Sequence, residues 1–353
     1  MKKLLFCALL ALPTLFLACS KDDVAKDLTK DEAVAQIQAT NVDLKKEIAD
    51  IKTNKGVEAI VTLTDLADAG LFPEAVSQLA SAEGVMNAVA TRSNPFKSIV
   101  KSSEGSFDFS SKTGKYTYTN GHFVRDRSVT DKIVILYPAK GSISNNAELV
   151  ISSFEEQYVG STDEYLPIKI EAELKVDNAT VLKISYKAAL GNFASQGIDA
   201  TGVASFDLVV ALAPYSLESH QTLSVSNEAY SVKDNSFLKN GSKMLISTGR
   251  ELASTINSKT GDLVFNGNAF LQLSYLKLAG SISYSGTLDQ EEGIANALNK
   301  IDLNLYKYPE GNRIGKVLLQ NNAEPMIEYC DGTKAALEGL FQELVRGLFP
   351  EPM

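Results

Sequence analysis

The sequence predicts an α+β protein in which N-terminal helices precede a large, mostly antiparallel, curved β-sheet, built as a sandwich or an open barrel with a C-terminal covering helix. Three observations predict it. From Val24 to about Lys55 the chain is charged and free of Gly and Pro, and Val34, Ile37, Asn41, Leu44, Ile48 and Ile51 recur at alternating spacings of three and four, which is a helix with one narrow apolar seam. After Asn94-Pro95 the pattern changes to short runs of period-two alternation punctuated by Gly and Asn, the signature of strands and hairpins. Leu337, Leu340, Phe341, Leu344 and Leu348 then return to helical spacing ahead of Pro350 and Pro352, both poor helix continuers.

The elements divide the chain into residues 1–18, a signal peptide; 19–55, a helical spacer; 56–95, a helical segment; and 96–353, the β body. Lys2 and Lys3 precede an apolar stretch, Leu4 to Leu12 and Leu15 to Ala18, broken by Pro13-Thr14. It is too short to remain as a membrane span, so it reads as a cleaved export signal. The seam of the following helix can lie against the body, rise as a spacer, or pair with copies of itself with Asn41 setting register. Val57 to Ala69 and Pro73 to Arg92 read as two more helices separated by Gly70-Leu71-Phe72, with Pro73 suited to a first helical turn.

In the β body the clearest hairpin runs from Ile168 to Val176, turns at Asp177-Asn178, and returns from Leu182 to Leu190. Apolar residues alternate with Lys, Glu and Ser throughout, so one face is buried and the other wet. Weaker strand signals occur at Phe107–Phe109, Tyr116–Tyr118, Lys132–Tyr137, Glu148–Ser152, Ser205–Leu212, Leu223–Val225, Leu263–Phe265, Phe270–Leu278, Ile282–Tyr284, Asp302–Tyr308, Arg313–Gln320 and Met326–Tyr329. Asn120-Gly121, Asn240-Gly241, Asn266-Gly267 and Asp331-Gly332 mark turns. Helices are expected at Asp289–Lys300 and from about Thr333, the latter covering the apolar side of the sheet.

Around Cys19 the chain reads Leu15-Phe16-Leu17-Ala18-Cys19-Ser20-Lys21-Asp22-Asp23. This resembles the bacterial lipoprotein class, with the bulkier lipobox residues of the Bacteroidota and their acidic surface-export tag after the cysteine. The resemblance implies cleavage before Cys19, acyl chains on Cys19, and an outer-membrane, outward-facing location; it covers about 23 residues and leaves the body unassigned. Several acyl chains, at about 0.8 kcal/mol per buried methylene, make such attachment effectively permanent. Loss of the two signal lysines takes the formal charge from −9 to −11, so nucleic acid and anionic headgroups are not expected partners. With Cys7 removed and Cys19 acylated, Cys330 stands alone and no intrachain disulfide is expected. It is read as a buried strand-end cysteine in preference to a reactive thiol.

No catalytic or metal-ligating residues and no cofactor are expected. His122 follows a turn and His220 lies in a polar stretch, and neither has a partner pattern for base catalysis or metal binding. Ser98-Ile99-Val100-Lys101, Ser144-Asn145-Asn146 and Lys259-Thr260-Gly261 imitate in order the motifs of penicillin-recognising serine enzymes. That chemistry needs the serine at the start of a buried helix, whereas Ser98 enters a β-patterned region. Ser111-Lys112-Thr113-Gly114 echoes Ser258-Lys259-Thr260-Gly261, and both read as hairpin turns. The paired acids Glu155-Glu156, Asp163-Glu164 and Glu291-Glu292 lack calcium-loop spacing. Two same-face ring pairs, Tyr116/Tyr118 and Tyr306/Tyr308, are candidate ligand-stacking residues beside the reading that they merely decorate a sheet. The expected function is a lipid-anchored, non-enzymatic binding or envelope-accessory protein whose partner is a glycan, lipid or protein. A lipid or lipoprotein carrier with an acyl cavity is the alternative, and a hydrolase comes third.

Overall fold

A computed structural model describes residues 26–66, 107–159, 164–193, 201–226, 228–256, 262–287, 302–318 and 326–336. The signal, Cys19 and its following tag, the helices expected at 73–92 and 289–300, and the apolar stripe from Leu337 lie outside the described residues. The chain divides into two compact units: unit 1 holds residues 50–218, and unit 2 holds residues 14–49 and 219–353, with residues 1–13 grouped with unit 1. The divisions fall within helix α1 (Lys30–Lys52) and strand β8 (Tyr215–Ser226). The expectation of a mostly antiparallel sheet after N-terminal helices holds, and neither ladder closes on itself.

Unit 1 contains helix α2 (Lys55–Leu66), the one-turn helix α3 (Phe109–Lys112), and strands β1 (Gly114–Thr119), β2 (His122–Asp126), β3 (Ile133–Tyr137), β4 (Ala147–Val159), β5 (Glu164–Val176), β6 (Ala179–Ala189) and β7 (Gly202–Leu212). Their order is β2-β1-β3-β4-β5-β6-β7. Neighbours run antiparallel except β1 and β3, which pair in parallel from Gly114 opposite Ile133 to Thr117 opposite Leu136. The hairpin at Asp177-Asn178 forms as expected, with both residues at positive φ (52° and 64°), the conformation that a two-residue turn between right-twisted strands demands. Ile170, Leu174, Val176, Leu182 and Tyr186 are buried on one face, while Lys169, Glu171 and Ser185 engage in polar contacts on the other.

The core of unit 1 gathers Ile133, Ile135, Tyr137, Ile151, Phe154 and Leu174 under Ala59 and Leu63 of α2. Gly56 lets that helix approach: a Cβ there would stand 2.5 Å from Leu212 Cδ1. Asn54 ties the helix start down, its Oδ1 accepting from the Gly56 N–H at 2.8 Å and its Nδ2 donating to the Ala213 carbonyl at 2.9 Å. Phe107–Phe109 is not a strand. Asp108 caps α3 by accepting from the Ser111 N–H, so Ser111–Gly114 is the exit of a helical turn into β1 and not a hairpin turn. The short polar side chain at the cap offers the backbone a partner that alternation alone does not reveal.

Unit 2 contains residues 30–49 of α1 and strands β9 (Ala229–Asn240), β10 (Lys243–Ile256), β11 (Asp262–Leu273), β12 (Leu276–Thr287), β13 (Asp302–Lys307), β14 (Arg313–Leu318), β15 (Met326–Tyr329) and β16 (Lys334–Ala336), paired antiparallel in sequence order. Helix α1 begins at Lys30, not Val24, because Thr29 and Glu32 form a capping box: the Thr29 N–H donates to Glu32 Oε2 at 2.9 Å and the Glu32 N–H to Thr29 Oγ1 at 3.4 Å. Its buried face is Ala33, Ile37, Thr40, Leu44 and Glu47. Val34, Asn41 and Ile48 flank that face half-buried, so the seam is rotated from the expected one. Ala33 and Ile37 pack on Leu276, Leu305, Ile314, Ile327 and Tyr329; the helix lies against its own unit.

Three sequence expectations need correction here. Asn266-Gly267 is not a turn but the middle of β11, where a Cβ on Gly267 would stand 2.3 Å from Leu252 Cδ2; the glycine serves close cross-strand packing. Phe270–Leu278 is not one strand, since the chain turns at Ser274-Tyr275 with Ser274 at φ 49°. Thr333 does not open a helix, because Lys334–Ala336 pairs with Glu328–Met326 as a strand.

Candidate functional site

The segment Lys26–Leu28 of unit 2 makes a cluster of polar and charged contacts with the start of β14. Lys26, Asp27 and Leu28 run beside the start of β14. Asn312 Nδ2 donates to the Lys26 carbonyl at 2.8 Å, the Leu28 N–H donates to the Arg313 carbonyl at 2.9 Å, and Arg313 Nη2 reaches Asp27 Oδ2 at 2.9 Å. A second donation from Arg313 Nε to Asp27 Oδ1, at 3.2 Å, makes the pair bidentate. The guanidinium holds the Asp27 carboxyl below its ordinary value. Cys330 lies beside this pair, half-buried, with Sγ 3.6 Å from both the Arg313 and Ile314 carbonyls. Burial, with the Asp27 charge adding to it, pushes the thiol up, which is the wrong direction for a poised thiolate.

A second cluster fixes the other half of α1. Lys243 Nζ donates to Asp43 Oδ1 at 2.5 Å and to Glu47 Oε1 at 2.8 Å. Asn240 Nδ2 donates to Glu47 Oε2 at 2.8 Å, and Ser274 Oγ to Asp43 Oδ2 at 2.7 Å. Burial acts to lower the Lys243 ammonium, but the hydrogen bonds and charges of Asp43 and Glu47 outweigh it and raise the group. The network spends its donors and acceptors on joining the helix to the β9–β10 and β11–β12 turns. Arg250 and Asp234, directly opposed on β10 and β9, form a further ion pair in this unit with little exposure.

The stacking candidates separate. Tyr116 is buried, 4 % exposed, in the core of unit 1, its hydroxyl donating to the Lys112 carbonyl at 2.7 Å. It offers no face to a ligand, and that expectation is corrected: an inward position on β1 serves the core. Tyr118 is half-buried with its ring 5.3 Å from that of Phe123. In unit 2, Tyr306 is half-buried on β13, while Tyr308 lies beyond the strand end and is 36 % exposed. Its N–H donates to the Tyr275 carbonyl at 2.8 Å, and Tyr275, 41 % exposed, is the aromatic neighbour the sequence reading missed. The only sequence signal for it was the break in alternation at Ser274-Tyr275.

His122 is exposed on β2 with Nδ1 3.3 Å from the Asn120 carbonyl oxygen, and His220 is exposed on β8 with its ring 6.2 Å from Phe237. Asn146 binds a turn: Oδ1 accepts from the Ala139 N–H and Nδ2 donates to Asp177, both at 2.9 Å. Ser98, Lys101 and Lys259–Gly261 lie outside the described residues. Glu155 and Glu156 are on a strand; Glu155 pairs with Lys169, whereas Glu156 accepts from the Phe107 N–H at 2.7 Å and is pushed up by burial. Among the described residues no group of three or more His, Cys, Asp or Glu is arranged to hold a metal ion, and no helix is long and apolar enough to cross a membrane. No family model matches the chain, and neither a curated protein nor a solved structure matches it.

Proposed function

We propose that the protein is a lipoprotein held in the outer membrane by acyl chains on Cys19, its body facing outward and serving a non-enzymatic binding or accessory role in the envelope. The single observation that carries this reading is Cys19 at the end of a short export signal, followed by Ser20-Lys21-Asp22-Asp23. The tie of Lys26–Leu28 to Asn312 and Arg313 supports it, because a tether must join the body through contacts that resist being peeled away. The net charge also supports it, since an acidic body has no basic patch to hold it to headgroups and leaves the acyl chains as the attachment.

Membrane fractionation with palmitate labelling tests the anchor: the wild type incorporates label and sediments with membranes, and Cys19→Ser does neither. A Cys19→Ser protein that still fractionates with membranes would sink the reading. Protease treatment of intact cells tests the outward face, with full protection counting against it. A lipid carrier is the second reading; the direct packing of α1 and α2 on their strands weighs against an acyl cavity beneath either helix. Native mass spectrometry of the signal-less protein from its host separates the two, because a carrier retains co-purifying lipid.

A further inference from the structure

We propose that the end of unit 2 formed by Tyr275, Tyr308 and the turn from Pro309 to Asn312 rests in the headgroup layer of the bilayer that holds Cys19. This rests on the anchor reading and adds an interaction surface to it. Seven peptide links separate Cys19 from Lys26, and at most about 3.6 Å per residue they span no more than about 25 Å. Lys26 is not free to swing at the end of that span. Asn312 holds its carbonyl, and Arg313 grips both Asp27 and the Leu28 N–H, so the bilayer and the β13–β14 turn are brought within one short tether of each other.

At that turn two tyrosines are exposed side by side in the backbone, joined by the bond from the Tyr308 N–H to the Tyr275 carbonyl. An amphipathic ring with an apolar body and a polar tip is the side chain that membrane–water interfaces favour. The cations that bracket the turn in sequence already have acidic partners, Lys307 with Glu310 at 3.1 Å and Arg313 with Asp27 at 2.9 Å, so the rings and not these charges make the contact. The occupant is therefore a zwitterionic lipid surface met by rings, and the contact tolerates salt.

The chain contains no tryptophan, so Tyr275→Trp and Tyr308→Trp each install a single reporter. The acylated full-length protein is reconstituted in phosphatidylcholine vesicles containing lipids brominated near the headgroup. Val264→Trp is the control; Val264 is exposed on β11, nine residues before Leu273, or about 30 Å along the strand. The expected result is emission from the Tyr275→Trp and Tyr308→Trp proteins quenched about twofold more than from the control, as an interfacial position requires, and unchanged in about 0.5 M NaCl, where exposed charges are screened. Protein that floats with vesicles but shows equal quenching at all three sites overturns the proposal and leaves the anchor standing. Protein that does not float overturns the anchor and this proposal together. Quenching abolished by salt overturns the ring-based contact in favour of an electrostatic one. Tyrosine nitration of the unsubstituted protein gives an independent reading: Tyr275 and Tyr308 become protected on vesicles, and unchanged nitration of both counts against the contact.

Discussion

Unit 1 and unit 2 are both mostly antiparallel ladders with a helix laid on them, yet they bury different chemistry. In unit 1 the helix is held by apolar packing around Tyr137, whose hydroxyl donates to the Ala59 carbonyl at 3.0 Å. In unit 2 the upstream half of α1 is held by Ala33 and Ile37, but the downstream half is held by carboxylates on Lys243. Of the buried polar side chains among the described residues, Thr113 belongs to unit 1, whereas Thr40, Glu47, Asp234, Ser247, Ser254, Gln272 and Ser274 belong to unit 2. The difference teaches that two ladders of the same class can hold their helix by apolar packing in one case and by apolar packing joined to hydrogen-bonded charges in the other. The second depends on each partner being present, because a buried polar group left alone costs more than the pair gains.

The largest expected effect breaks the apolar side of that comparison. Tyr137→Ala removes a fully buried ring and should cost unit 1 about 3–5 kcal/mol, while Tyr137→Phe removes one hydrogen bond and should cost about 1 kcal/mol; urea unfolding with hydrogen exchange localises the loss to residues 50–218. Near-equal costs for the two variants would show that the hydroxyl, not the ring, holds α2.

A smaller effect sharpens the polar side. Lys243→Met leaves Glu47, 7 % exposed, without its cation. Because the ammonium itself keeps some solvent contact, the expected loss is about 1–2 kcal/mol. Combining it with Glu47→Gln and Asp43→Asn should recover part of that loss, and additive losses in the triple variant would show that the groups do not act as a unit.

The smallest effect concerns the tie of Lys26–Leu28 to β14. Asp27 is held below its ordinary value of 3.8 by Arg313, so its contribution is present above that value and is lost as the pH falls through the lower value of the folded state. The pair is exposed and worth about 0.5 kcal/mol. Exchange of the Leu28 amide should therefore rise in Asp27→Asn at neutral pH and, in the wild type, rise in proportion to its intrinsic rate only on acidification. An amide equally protected in both proteins would show that the backbone bond holds the segment without the ion pair.

The same contrast explains what could be read in advance. The hairpin of β5 and β6 was legible because its apolar residues fall on one face for its full length. Residues 213–262 yielded only Leu223–Val225 as a strand, although β8, β9 and β10 fill the stretch. In β9 the buried side chain is Asp234. In β10 the buried positions change parity, from Leu245, Ser247 and Gly249 to Leu252 and Ser254, with no break in register from Ile246 to Thr255. Alternation with period two vanishes when the covered face changes along a strand, even though the backbone ladder is unbroken. At the candidate site Tyr308 was legible as an aromatic at a strand end. Tyr275, Asp27 and Arg313 were not, because their significance lies in contacts between segments up to 286 residues apart.

The amino-acid sequence by itself determined the local matters: helices upstream, an antiparallel β class downstream, and turns at Asp177-Asn178 and Asn240-Gly241. Each follows from backbone preferences or from apolar spacing within a few residues. Only the tertiary structure decided that α1 turns Glu47 inward, that Gly267 serves packing and not a turn, that β1 pairs in parallel with β3, and that Lys26–Leu28 is gripped by Asn312 and Arg313. At these positions burial and hydrogen-bond partners are set by what arrives from elsewhere in the chain, and the local pattern does not carry that information.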